Sequence, residues 1–229
     1  MSTSPSALDD ASFLAPDVPL SKSIAHGSWP EFLSRLCNKP GKEILEVGSR
    51  VVTGSKLREL FNNANYTGFD FYPGDNVDVV GDAHKLSTYF PKKFDLIFSS
   101  AVFEHLAMPW IVAQEMIKLL KVNGYIFVET HYSFSSHERP WHFFQFSEQA
   151  LKVLFPSCAG ISCIEAGAST PIVGRFSDLA APYLRRLPVR GLYCHSEFLG
   201  VKKADVPDFS WTDVSLDTLI GSVYPSPSS

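Results

Sequence analysis

With 229 residues, 45% of them hydrophobic and 19% charged, the chain suits one packed globular domain and is neither disordered nor fibrous in composition. Twenty basic against 24 acidic side chains leave a net charge of −4, which gives no global attraction to nucleic acid or anionic lipid. Cys37, Cys158, Cys163 and Cys194 form no CxxC pair and no His/Cys zinc spacing, so reduced thiols are expected, with neither disulfide nor metal.

Residues 1–20, MSTSPSALDDASFLAPDVPL, read as a flexible arm that orders over a ligand. They lack the basic start and apolar core of a signal segment, and no apolar run reaches membrane-spanning length. A cytoplasmic protein without a membrane partner is therefore expected. The domain proper is placed at 21–205 and a C-terminal tail at 206–229. Its first helix is expected over Pro30–Cys37, where Phe32, Leu33 and Leu36 share a face. Just ahead of it, Trp29 is read as a staple for that helix and, with His26, as a candidate cover for a ligand.

Glu43–Val47 is a buried strand, Gly48 breaks it, and Lys56–Phe61 resumes a helix. Further strands are expected at Tyr66–Asp70, Val77–Val80 and Phe94–Phe98. A helix carrying Ile111, Met116, Ile117, Leu119 and Leu120 inward follows, Asn123-Gly124 ends it, and Tyr125–Glu129 makes a fifth strand. Ser147 caps a helix through Leu154, and stretches near Ile161–Glu165 and Tyr193–Val201 form a closing antiparallel pair. The fold class that results is α/β: a Rossmann-like, doubly wound, mostly parallel sheet in a single domain. Arg185, Arg186 and Arg190 make one local basic cluster, read as solvated loop charge.

Ligands of such sheets lie outside the carboxyl ends of the strands, so polar residues just past each strand are the informative ones. Glu46, Gly48 and Ser49 end the first strand, Asp70 and Phe71 the second, and Asp82 with Ala83 follows the third. Ser99, Ser100, Glu104 and His105 follow the fourth. Asp70 has the chemistry to accept hydrogen bonds from both hydroxyls of a ribose. Asp82 can accept from an adenine amino group while the small Ala83 lets the base approach. Singly, each also reads as ordinary structure: Gly48 as a turn, Asp70 as a turn residue, Asp82 as a helix cap.

Taken together, Glu46-Val47-Gly48-Ser49, Gly68-Phe69-Asp70, Gly81-Asp82-Ala83 and the run Phe94 to Leu106 are similar to the first four motifs of class I S-adenosylmethionine-dependent methyltransferases. The resemblance covers about residues 42 to 156 and is closest to the type-11 methyltransferase domain. It implies S-adenosylmethionine as cofactor, held by Glu46, Gly48, Ser49, Asp70, Phe71, Asp82, Ala83, Ser99 and His105. Arg50 stands where the family usually has a second glycine, and Gly54 arrives late. The full G-x-G-x-x-G of a dinucleotide site is missing, and an acidic first motif would repel a pyrophosphate.

Methyl transfer needs alignment, exclusion of water and, for a protonated acceptor, a base. The segment Glu129 to Phe146 holds His131, His137 and His142 among aromatics, and these three are the candidate bases. Trp141, Phe143, Phe144 and Phe146 also read as loop packing. The expected activity is O- or N-methylation of a small, partly apolar or sugar-like acceptor. The alternatives are a catalytically silent scaffold of the same fold and a nicotinamide-dependent reductase.

Overall fold

The computed structural model describes residues 10–52, 54 and 56–220. Its strands are β1 (Glu43–Val47), β2 (Asn65–Asp70), β3 (Val79–Val80), β4 (Phe94–Ser100), β5 (Leu120–His131), β6 (Ile161–Pro171), β7 (Gly174–Arg175), β8 (Pro188–Val189) and β9 (Tyr193–Lys202). The α-helices are α1 (Trp29–Cys37), α2 (Pro109–Leu119), α3 (Glu148–Leu154) and α4 (Leu216–Ile220). Seven strands form one sheet in the order β3-β2-β1-β4-β5-β9-β6, and β7 with β8 makes a separate two-stranded ribbon. From β3 to β5 all neighbours are parallel. β9 runs antiparallel between β5 and β6, which is the closing pair expected from the sequence.

Successive side chains along a strand point to opposite faces, and this divides the core in two. Leu45, Val47, Ile97, Ile126, Val128 and Phe198 pack with α2 and α3 on one face. Ile44, Leu96, Phe98, Phe127 and Leu199 pack with α1 on the other. The continuous apolar runs of β1, β4 and β5 follow from burial on both sides. Trp29 belongs to this core: it is 3% exposed and stacks on Phe127 at 4.9 Å.

The helix expected at Lys56–Phe61 forms as a short 3-10 turn, Leu57–Phe61, and a second 3-10 segment spans Ala83–Tyr89. α2 stops at Leu119, before Asn123-Gly124. The buried Lys202 ammonium donates to the carbonyls of Ile117 (2.7 Å) and Leu120 (3.0 Å), giving the last turn of α2 the cation its dipole favours. Ser147 caps α3 by accepting from the Ala150 N–H, as its position implies. All four cysteines are free thiols.

Of the arm placed at 1–20, residues 1–9 lie outside the described residues. From Asp10 onward it is docked: Phe13 is 3% exposed, its carbonyl accepts the Gly191 N–H, and Leu20 pairs with Ala168 beside β6. In the tail, 221–229 lie outside the described residues, and α4 occupies 216–220. Arg186 pairs with Asp178 on the surface at 2.8 Å. No helix among the described residues is long and apolar enough to cross a membrane.

Candidate active site

Because β1 to β5 are parallel, their carboxyl ends share one edge of the sheet, and the antiparallel β9 brings its first residues there. At β1, Gly48 adopts φ +87 and both Gly48 and Ser49 donate to the Phe69 carbonyl. A Cβ on Gly48 would lie 2.1 Å from Val102 Cγ2. Gly48→Ala is therefore expected to destabilise the fold by about 2–5 kcal/mol, from left-handed backbone plus overpacking. A urea titration with an unshifted midpoint would contradict this.

Glu46, 5% exposed, turns its carboxylate to the Asn76 side-chain amide at 3.0 Å, and burial lifts its pKa to about 8. In the unfolded chain the same group releases its proton near the ordinary value of 4.5. Between those two values the folded chain holds more protons, so this group's contribution falls as pH rises through the window. Glu46→Gln is expected to remove that slope. Wild-type and variant urea midpoints should diverge from about pH 4.5 to about 8, with the variant the more stable at the upper end, and parallel curves would refute the assignment.

Asp70, at the end of β2, accepts from the Arg50 N–H (3.2 Å) and the Tyr72 N–H (3.0 Å). That leaves half of the carboxylate's lone-pair capacity unused. The Arg50 side chain packs on Gly74 and brings Nε to 3.6 Å from Asp70 Oδ1. This Nε is buried without a hydrogen-bond partner among the described residues. With 38% of the Arg50 side chain exposed, such a pair is worth at most about 1 kcal/mol, and a ribose diol can displace it. Phe71 is 61% exposed beside it.

Asp82 caps the turn that begins at Ala83. Its Oδ1 takes the His84 N–H at 2.9 Å and lies 2.7 Å from the His84 ring, while no partner for Oδ2 is found among the described residues. Burial pushes this carboxyl up, but the His84 contacts outweigh it and hold it below the ordinary range. Two further residues expected at the cofactor make hydrogen bonds within the sheet edge. Ser99 is fully buried and its hydroxyl bolts β4 to the Val47 carbonyl at 2.8 Å. Ser49, 3% exposed, donates to the Asn76 carbonyl.

The fourth and fifth strands deliver a histidine cluster. Ring centroids run in series from His26 to His195 (3.9 Å, stacked), His195 to His131 (6.0 Å), His131 to His137 (5.1 Å), and His137 to both His142 (4.7 Å) and His105 (4.9 Å). His131, His137 and His142 thus come together, and His105, expected on the cofactor side after β4, lies beside them. The β5–β9 register, with His131 opposite His195 and Glu129 opposite Glu197, adds a second group that sequence reasoning missed. There Glu129 accepts from Ser100 (2.8 Å) and lies 2.9 Å from His26 Nδ1. Ser21 and Ser169 both donate to Glu197. The Glu129 contact raises the His26 pKa, and burial raises Glu197 to about 7.

At the centre lies Glu104, fully buried. Oε2 accepts from Thr130 at 2.7 Å, and the backbone carbonyl takes the N–H groups of Phe143 and Phe144. Oε1 is 3.0 Å from His131 Nδ1 and 3.9 Å from His105 Nε2. The loop 132–146 is thereby folded back over the ends of β4 and β5, with Phe146 N–H donating to the His131 carbonyl. Burial and the neighbouring His137 and His105 rings hold the His142 pKa below the usual histidine range.

A glycine turn and acids at adjacent parallel strand ends define a Rossmann-like nucleoside-binding protein, with a second polar cluster one strand further on. A family model described as a methyltransferase domain matches residues 22–157. Among solved structures, the chain is similar to the plantazolicin methyltransferase BamL in complex with a triazolic desmethylPZN analog and SAH: 18% identity, TM-score 0.53, covering 80% of this chain and 86% of that one. YcgJ of Bacillus subtilis gives 14% identity, TM-score 0.52, and 76% and 98% coverage. The Burkholderia thailandensis 1,6-didemethyltoxoflavin-N1-methyltransferase with bound 1,6-didemethyltoxoflavin and S-adenosylhomocysteine gives 13%, 0.51, and 75% and 76%. At these identities the likeness is one of fold, and no curated protein matches the chain. The chain belongs to the methyltransferase-domain family. Its fold is that of S-adenosylmethionine-dependent methyltransferases, and S-adenosylmethionine is the cofactor this implies. The donor set is compatible: spare acceptors on Asp70 and Asp82, and a buried unpaired donor on Arg50.

Proposed function

We propose that this protein transfers a methyl group from S-adenosylmethionine to a hydroxyl or amine of a small acceptor. Six of the seven histidines converging beside the cofactor edge carry the reading, because a protonated acceptor must lose its proton as it is methylated. The cofactor supplies an electrophilic methyl on sulfonium. Asp70 would hold the ribose, Asp82 the adenine amino group, and Arg50, once displaced from Asp70, the carboxylate of the amino-acid end.

Among the three expected bases, His137 has the most suitable lone pair. Its Nδ1 lies 2.9 Å from the Ser135 carbonyl, which only accepts, so Nδ1 carries the proton and Nε2 is free. His142 Nδ1 instead accepts the His137 N–H at 3.2 Å, which places its own proton on Nε2. Phe134, Trp141 and Phe143 are 46%, 62% and 43% exposed around the cluster and favour a small, partly apolar acceptor. Incubation with methyl-labelled S-adenosylmethionine and separate panels of phenols, amines, sugars, RNA and protein tests this. Label is expected in a small-molecule panel; label in RNA or protein alone would overturn the acceptor class.

A further inference from the structure

We propose that Glu104, His131 and His137 form a three-ligand binding site for a divalent transition-metal ion. One ligand atom of each lies within 4.8 Å of the others. Two of those groups are buried and unsatisfied: Glu104 Oε1 and His131 Nδ1 have no hydrogen-bond partner among the described residues. Glu104 is fully buried and His131 8% exposed. They stand 3.0 Å apart as a buried carboxylate–imidazole pair, and Glu104 Oε1 and His131 Nδ1 have no partner other than each other among the described residues. Two buried ligand-type atoms side by side with no further partner are suited to share a cation.

The third ligand, His137, and the neighbouring His105 each have a tautomer set by a backbone carbonyl. The His137 Nδ1–H is directed to the Ser135 carbonyl at 2.9 Å, and the His105 Nδ1–H to the Trp141 carbonyl at 2.6 Å. Both rings therefore present Nε2 as a free lone pair, and backbone carbonyls fix their tautomers as second partners of metal-bound histidines do. Thr130 likewise fixes the far oxygen of Glu104. Tetrahedral ligation at bond lengths of about 2.0–2.2 Å separates donors by about 3.3–3.5 Å. The Glu104–His131 separation of 3.0 Å is close to that value, and one ring nitrogen of His137 lies within 4.8 Å of both. Two imidazoles and one carboxylate suit Zn2+, Co2+ or Fe2+ rather than Mg2+ or Ca2+ and leave one position open. Resting on the reading of this cluster as the acceptor side, such an ion would lower the pKa of an acceptor hydroxyl docked in that position, in place of the His137 lone pair as the group that removes the proton.

The test is metal binding alone. The chelator-stripped full chain is titrated with Zn2+ against a chromophoric chelator, and Co2+ is added separately to record visible ligand-field bands. One equivalent per chain is expected, with Co2+ bands, and Glu104→Gln and His137→Ala should each weaken binding by at least about 100-fold. His137 lies partly exposed on a loop, so its variant keeps the fold if Glu104→Gln does not. His84→Ala and His195→Ala should retain the equivalent. Absence of stoichiometric binding overturns the proposal. So does binding that survives His137→Ala, including binding lost instead in His195→Ala, which places the ion at His26, Glu129 and His195. A chain that binds no Zn2+ but transfers methyl leaves the proposed function intact; one that binds Zn2+ but no sulfonium nucleoside leaves this site intact.

Discussion

His137→Ala is expected to lower kcat by about 10²–10⁴-fold on the acceptor that carries the label, while leaving S-adenosylmethionine affinity unchanged. The reason is positional. His137 lies on the loop folded over β4 and β5, its ring 5.1 Å from His131 and 4.9 Å from His105, with Nε2 left free by the Ser135 contact. Among the described residues it makes no hydrogen bond with the cofactor edge: Asp70 contacts Arg50 and Tyr72, and Asp82 contacts His84. His142→Ala should cost less, because its Nδ1 already accepts from the backbone. Full turnover in His137→Ala would remove it from the reaction, whether its lone pair acts on a proton or on a cation.

Asp70→Ala is expected to weaken cofactor binding by about 10- to 150-fold, the loss of charged hydrogen bonds worth about 1.5–3 kcal/mol. Asp70 combines a strand-end position, unused lone pairs and only weak competition, from the Arg50 guanidinium at 3.6 Å. Asp70→Asn keeps one acceptor oxygen and should fall between. Arg50 gives the silent-scaffold alternative its specific content. If the Arg50–Asp70 contact closes the site permanently, Asp70→Ala changes nothing because there is no binding to lose.

Much of this was legible in the sequence where one local rule dominated. The apolar runs of β1, β4 and β5 are bounded by Gly48, by the polar end Ser99-Ser100, and by Gly124, and their burial on both faces follows from parallel pairing. Ser147 capped its helix because the chemistry is confined to three residues. Strand parity already contained one contact of Ser99: it shares Ile97's face of β4, and its hydroxyl meets the Val47 carbonyl. Asp82 took both readings offered for it, capping with one oxygen and leaving the other without a described partner.

What sequence could not supply was register. Glu104 becomes the hub of its cluster only because Thr130 and His131, at the end of a neighbouring strand, meet it. The group of His26, Glu129 and His195 likewise depends on a β5–β9 pairing that no local pattern encodes. The helix expected at Lys56–Phe61 became a 3-10 turn because the segment is short, five residues at Leu57–Phe61, and one α-helical turn of that length is marginal without further packing.

The central claim, that the edge from Gly48 to Asp82 holds a sulfonium nucleoside, is tested most directly by calorimetric titration of the purified chain with S-adenosylmethionine and S-adenosylhomocysteine, with NADH and NADPH as controls. Saturable, micromolar-range binding of the two sulfur nucleosides alone is the expected result. Binding of the dinucleotides instead, or of none of the four, would contradict it.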